Sequence, residues 1–198
     1  MLQEVRQSIP KAYRDIERAT ISSGFTMPSD MLTCSLLRTL ASSKPGGRFL
    51  ELGTGTGLAT SWILDGMDSS STLISVDNDE NVLSIAKSFL SKDTRLQLIA
   101  SDGEEWVMSN KAAKFDYIFA DTWHGKYLLL NEVLDMVKPG GFYIIDDMIE
   151  QPNWPDGHHE KASNLLKYLD RRTDFYLTKQ SWASGIVVAV RRTNHPPS

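Results

Sequence analysis

The chain has 198 residues, 41% of them hydrophobic and 23% charged, a size and composition that fit one globular α/β domain with a sizeable core. A formal net charge of −4, a pI of about 5.6 and no run of basic residues leave no electrostatic footprint for a long phosphate backbone, so nucleic acid is a disfavoured partner. The lone Cys34 cannot form an intrachain disulfide, Glu4 and Arg6 stand where a signal peptide needs an apolar core, and no apolar stretch nears the roughly 20 residues of a bilayer span. A cytoplasmic protein that stays out of membranes is therefore expected.

Leu2, Val5, Ile9, Ala12, Tyr13 and Ile16 recur at helical spacing and Pro10 suits a first turn, which predicts a helix over about 10–20. After a turn at Gly24 to Pro28, Ser29 or Asp30 can cap a helix carrying Met31, Leu32, Leu36, Leu37 and Leu40 on one side. Cys34 sits among those leucines and reads as a buried structural thiol. Lys44 to Gly47 end the helix, and β-rich runs then alternate with helical ones. Strands are predicted at Arg48 to Leu52, Thr72 to Asp77, Leu96 to Ser101, Phe115 to Asp121 and Gly141 to Asp146. Helices are predicted near 57–66, 79–91, 103–110, 126–137 and 158–171. Strands near Phe175 to Trp182 and Gly185 to Arg191, joined by the turn Ala183-Ser184-Gly185, form an antiparallel hairpin. The whole predicts a doubly wound α/β fold with a seven-stranded, mostly parallel sheet.

Phe49 to Gly57 reads FLELGTGTG, an apolar strand running into Gly53, Gly55 and Gly57 at the start of a helix. Glycines there let the backbone turn sharply and let a ligand lie against amide groups. The dinucleotide fingerprint wants its third glycine where Leu58 stands, and no Gly-Lys-Ser/Thr follows, so an NAD site and a Walker loop both fail on spacing. At the end of the second strand, the Asp77 carboxylate can accept both hydroxyls of a ribose, with Asn78 beside it. The bland alternatives are a tight turn for the glycines and helix capping for Asp77 and Asp102.

An acidic residue two before GxGxG resembles motif I of the class I S-adenosylmethionine-dependent methyltransferases, a Rossmann-like fold. The resemblance implies that Glu51 faces the amino acid end of the cofactor, that Gly53, Thr54, Gly55 and Gly57 cradle it, and that Ser101, Asp102 and Gly103 receive the adenine. FDYIFADTWHGKY (Phe115 to Tyr127) and YIIDDMI (Tyr143 to Ile149) look like the catechol and caffeoyl-CoA O-methyltransferase group, a likeness spanning roughly residues 24–150. It implies O-methylation of a small hydroxylated acceptor beside a divalent cation, Mg2+ or Ca2+, on Asp121, Asp146 and Asp147. The alternative is that Asp121 touches the cofactor or a helix N-terminus while the other two are solvated loop acids.

The group's usual base, a lysine three residues after the metal aspartate, is replaced here by His124, with Lys126 two further on. A histidine can take a proton near neutral pH, so His124, Lys126 and Asp121 are the catalytic candidates. Met27 matches a position that packs on the cofactor, residues 1–45 form a helical cap over a core of 46–198, and residues 1–23 supply a lid or a homodimer contact. Gln151 to Lys161 (QPNWPDGHHEK) carries Trp154, His158 and His159 where this fold builds its acceptor pocket, though a plain helix start is the simpler reading of the histidines. Rival readings are an aminopropyltransferase on the same fold, a non-catalytic cofactor-binding protein, and an NAD oxidoreductase disfavoured by the glycine spacing.

Overall fold

The computed structural model describes residues 8–151 and 154–193; the predicted helical positions Leu2 and Val5 lie outside them. Its order is α1 (Tyr13–Ser23), α2 (Met31–Ser42), β1 (Arg48–Leu52), α3 (Leu58–Gly66), β2 (Thr72–Asp77), α4 (Glu80–Leu90), β3 (Leu96–Ala100) and α5 (Gly103–Asn110). There follow β4 (Phe115–Ala120), α6 (Leu130–Met136), β5 (Val137–Ile145), α7 (His158–Asp170), β6 (Phe175–Gln180) and β7 (Ile186–Arg191). The seven strands run β3-β2-β1-β4-β5-β7-β6, with β7 antiparallel to both β5 and β6 and the other neighbours parallel. No helix among the described residues is long and apolar enough to cross a membrane.

The centre of the sheet is covered on both faces, its strands being mostly apolar. Successive side chains of a strand point to opposite faces. Phe49, Tyr117, Phe119 and Ile144 therefore pack with α1, α2 and α3, while Leu50, Leu52, Ile118, Ala120, Tyr143 and Ile145 pack with α5, α6 and α7. The segment expected as a cap contributes to the first of these cores directly: Tyr13, Ile16, Cys34 and Leu37 are buried in it, and Tyr13 meets Trp62 edge-on with ring centroids 5.7 Å apart. α2 begins at Asp30, whose carboxylate accepts from the amides of Leu32 (2.8 Å) and Thr33 (3.0 Å). Of the two residues offered as its cap, Asp30 fills the role and Ser29 is released for another.

Two element starts differ from the sequence expectation by four residues. The helix expected over 126–137 starts only at Leu130, because Gly125 (φ +88°) and Leu129 (φ +53°) take left-handed backbone that a helix cannot hold. β5 starts at Val137 rather than Gly141: Val137 pairs with Phe115, the register shifts, and Phe142 pairs with Tyr117. The shift absorbs Pro139, Gly140 and Gly141 as an irregularity inside one strand.

β1 pairs with β2 on one side and β4 on the other, so the direction of chain winding reverses between β1 and β4. Ligands of doubly wound sheets bind outside the C-terminal strand ends at such a point. Most predicted site residues sit at these ends or on the loops leaving them; Glu51 lies inside β1 and Met27 between α1 and α2.

Candidate active site

A cleft of about 670 Å³ opens over the C-terminal ends of β1, β2, β4 and β5. A second hollow of about 250 Å³ adjoins it and shares Gly53, Asp77, Asn78, Thr122 and Trp123 with it.

The glycine loop forms the floor of the cleft. The amides of Gly53 and Thr54 donate to the Val76 carbonyl (2.9 and 3.3 Å), and the Gly55 amide donates to Asp77 Oδ2 at 2.7 Å. Thr20 of α1 reaches Thr56 at 2.7 Å, so the first helix holds the loop from the other side. Two of the glycines are required by different neighbours. A Cβ on Gly53 (φ +98°) would lie 2.6 Å from the Asp121 carbonyl oxygen, so only glycine lets β1 and β4 come this close. A Cβ on Gly57 would lie 2.9 Å from that of Ala86, so this glycine serves the packing of α3 on α4 and does not line the cleft.

Glu51 departs from its expected position. It is fully buried beneath the loop, with Oε2 accepting from Thr60 and Ser75, and it lines neither hollow. Burial pushes its carboxyl up to about 7, against the two hydroxyls that hold it down. Its other oxygen, Oε1, has no partner among the described residues. Glu51 thus braces the loop instead of facing the cleft.

Asp77 and Asn78 line both hollows, while Ser101 and Gly103 line the smaller one. Asp102 lines neither: its side chain caps α5, accepting from the amides of Glu104 (2.8 Å) and Glu105 (3.3 Å). Met27 is 69% exposed at the rim of the larger cleft.

The second cluster gathers at the ends of β4 and β5. Asp121, Asp146 and Asp147 each offer a carboxylate oxygen, all within 4.8 Å of one another. Lys126, 4% exposed, sends its Nζ to Asp146 Oδ1 (3.0 Å) and Asp121 Oδ1 (3.4 Å). A turn from Trp123 to Leu128 aims it there: the Gly125 amide donates to the Leu128 carbonyl at 2.7 Å, and the buried Tyr143 hydroxyl donates to the Gly125 carbonyl. Burial acts to lower the Lys126 pKa, and Asp146 and Asp121 outweigh it, so the amine is held firmly as an ammonium. Burial and then Asp146 push Asp121 and Asp147 upward.

His124 does not join this cluster. It lines the smaller hollow, its imidazole against Gly103, where a Cβ would lie 2.6 Å from Nδ1. Two partners of the cluster were given no site role by sequence: Ser29 donates to Asp121 Oδ2 at 3.1 Å, and Ser184 Oγ accepts the Asp147 amide at 3.2 Å. Both are common loop residues whose neighbours become apparent only in three dimensions.

Aromatic rings close the far side of the cleft. Tyr127 Oη and His158 Nε2 are 3.1 Å apart, and the Trp154 and His158 ring centroids are 4.4 Å apart. Burial, then the charges of Lys126 and Lys161, lower the His158 pKa and favour the neutral imidazole. His159 is left outside, 4.0 Å from Glu150 on an exposed edge.

Residues 50–148, half of the chain, match the family model described as a methyltransferase domain. The chain belongs to the methyltransferase-domain family. A Mycobacterium avium protein named as a candidate O-methyltransferase is 27% identical to this methyltransferase-family chain over 137 residues, 65% of this chain and 60% of that protein. The chain thus spans about 60% of the length of that curated relative. An O-methyltransferase from Bacillus cereus solved in complex with SAH aligns with TM-score 0.83 and 16% identity over 96% of this chain and 95% of that one. The Streptomyces achromogenes O-methyltransferase of tomaymycin synthesis, in complex with SAM, aligns with TM-score 0.78 and 16% identity over 96% and 92%. At these identities the two structures establish the shared fold.

Proposed function

We propose that this chain transfers a methyl group from S-adenosylmethionine to an oxygen of a small hydroxylated acceptor. One observation carries the reading: the Gly53 to Gly55 floor, Asp77 and the Lys126 cluster open into a single cleft. The cleft volume of about 670 Å³ lies within the range of small-molecule sites. Family membership and the methyl-donor complexes of the Bacillus and Streptomyces proteins support it.

The residues fit a nucleoside cofactor. Asp77, already fixed by the Gly55 amide, presents carboxylate lone pairs for ribose hydroxyls, with Asn78 next to it. The smaller hollow, with Ser101, Gly103 and His124, is read as the place of the base. When bound, the cofactor supplies an electrophilic methyl group on a sulfonium centre. Lys126 is read as the charge that steadies the acceptor oxygen as it loses its proton, and Asp147 as the carboxylate that receives that proton. Trp154, Tyr127 and His158 exclude water and orient the acceptor.

The Mg2+ or Ca2+ implied by the catechol-type resemblance does not fit this site with Lys126 where it stands. Two of its three candidate ligands already bind the ammonium. A divalent ion would have to displace the ammonium from those two carboxylates or share them with it.

Incubation with labelled methyl donor and a panel of phenols, catechols and small hydroxylated metabolites tests the reading. Mass analysis should find one methyl gained on oxygen. Donor binding without transfer to any acceptor would favour the non-catalytic binding protein instead.

A further inference from the structure

We propose that the ammonium of Lys126 is the resident cation of the Asp121, Asp146 and Asp147 cluster, standing where a divalent metal would otherwise bind and making the site metal-independent. Lys126 Nζ contacts the Oδ1 atoms of two different strand-end aspartates, at 3.0 and 3.4 Å. A metal bridging those strand ends would require the same two groups.

The lysine has little freedom to leave. Its side chain is 5% exposed and that of Asp146 2%, so the pair sits away from solvent. The turn that carries it is fixed at several points. Gly125 has φ +88°, and a Cβ there would lie 3.0 Å from Leu52 Cδ1 and 3.1 Å from Ala120 Cβ. The amides of Tyr127 and Leu128 both donate to the Trp123 carbonyl at 2.9 Å. Backbone held in this way keeps the root of the Lys126 side chain beside the aspartates that its Nζ contacts.

The aspartates are held in turn. Ser29 occupies Asp121 Oδ2, and the Asp147 backbone, left-handed at φ +54°, is tied to Ser184. An ammonium supplies hydrogen-bond donors where a metal supplies vacant coordination positions, and both place positive charge beside an acceptor oxygen. The role toward the acceptor rests on the proposed reaction; the occupation of the cluster by Lys126 does not.

The test is binding of Mn2+ alone, followed by its electron paramagnetic resonance signal and by calorimetry, with neither methyl donor nor acceptor present. Wild-type protein should show no saturable site below the millimolar range. Lys126→Met should bind Mn2+ at least tenfold more tightly than wild type, and adding Asp146→Asn should abolish the gain. Lys126→Arg, which keeps the charge, should behave as wild type. Circular dichroism and a thermal melt check that each variant folds. Wild-type binding as tight as that of Lys126→Met would overturn the proposal. If Lys126→Met does not fold, a saturable micromolar site in wild type overturns it and the lack of one upholds it. Because the readout involves no methyl transfer, failure of the proposed reaction leaves this result standing.

Discussion

Asp77 Oδ2 accepts the amide of Gly55 at 2.7 Å, so the residue at the end of β2 also sets the shape of the glycine loop leaving β1. The same carboxylate takes the Asp79 amide on Oδ1 at 2.9 Å, leading the chain into α4. Loop geometry and the entry into α4 are thus linked through one side chain, while the helix cap considered for Asp77 is Asp79, which accepts from the amides of Asn81 and Val82.

Gly53→Ala should damage both fold and site. A Cβ there is 2.6 Å from the Asp121 carbonyl oxygen, and φ +98° is unfavourable for any residue with a side chain. A loss of about 1–3 kcal/mol in stability is expected, read as a lower urea midpoint. An unchanged midpoint would show that β1 and β4 can separate without cost.

Glu51 gives the pH dependence a definite sign. Its folded pKa is raised, mainly by burial, from the ordinary 4.5 to about 7. Between those values the folded carboxyl binds a proton that the unfolded chain lacks, so stability falls as pH rises through this window and levels off above it. Glu51→Gln should remove a component on the order of 3 kcal/mol from that slope. Urea unfolding of both proteins from pH 4 to pH 8 checks this, and parallel profiles would contradict it.

Trp154→Ala and His158→Ala each remove part of the aromatic wall without touching the glycine loop. Once an acceptor is found, its KM should rise about tenfold, equivalent to ~1.4 kcal/mol of lost binding. The dissociation constant of the methyl donor should stay within about twofold. A selective loss of donor affinity would move the wall to the cofactor side.

Much of the sheet is legible in the sequence because its strands are short apolar runs bounded by Gly, Asp and Ser. Arg48–Leu52 and Thr72–Asp77 are the same in sequence and structure. The placement of the glycine loop and Asp77 is legible for a related reason: it depends on neighbours along the chain and on strand register. What depends on a turn is hidden. The catechol-type resemblance implies His124 as the base, yet the Trp123 to Leu128 turn carries Lys126 to the aspartates and leaves His124 beside Gly103. Glu51 is misread for want of partners, since Thr60 and Ser75 reach it from another helix and another strand. Asp102 reads equally as a ligand or a cap, and its bonds to Glu104 and Glu105 establish the cap.

Titration of the folded protein with S-adenosylmethionine and with its demethylated product, beside Asp77→Ala, tests the central reading most directly. Saturable one-to-one heat with both ligands is expected, weakened at least tenfold, about 1.4 kcal/mol, by the substitution. Folded wild-type protein that gives no heat with either ligand would contradict it.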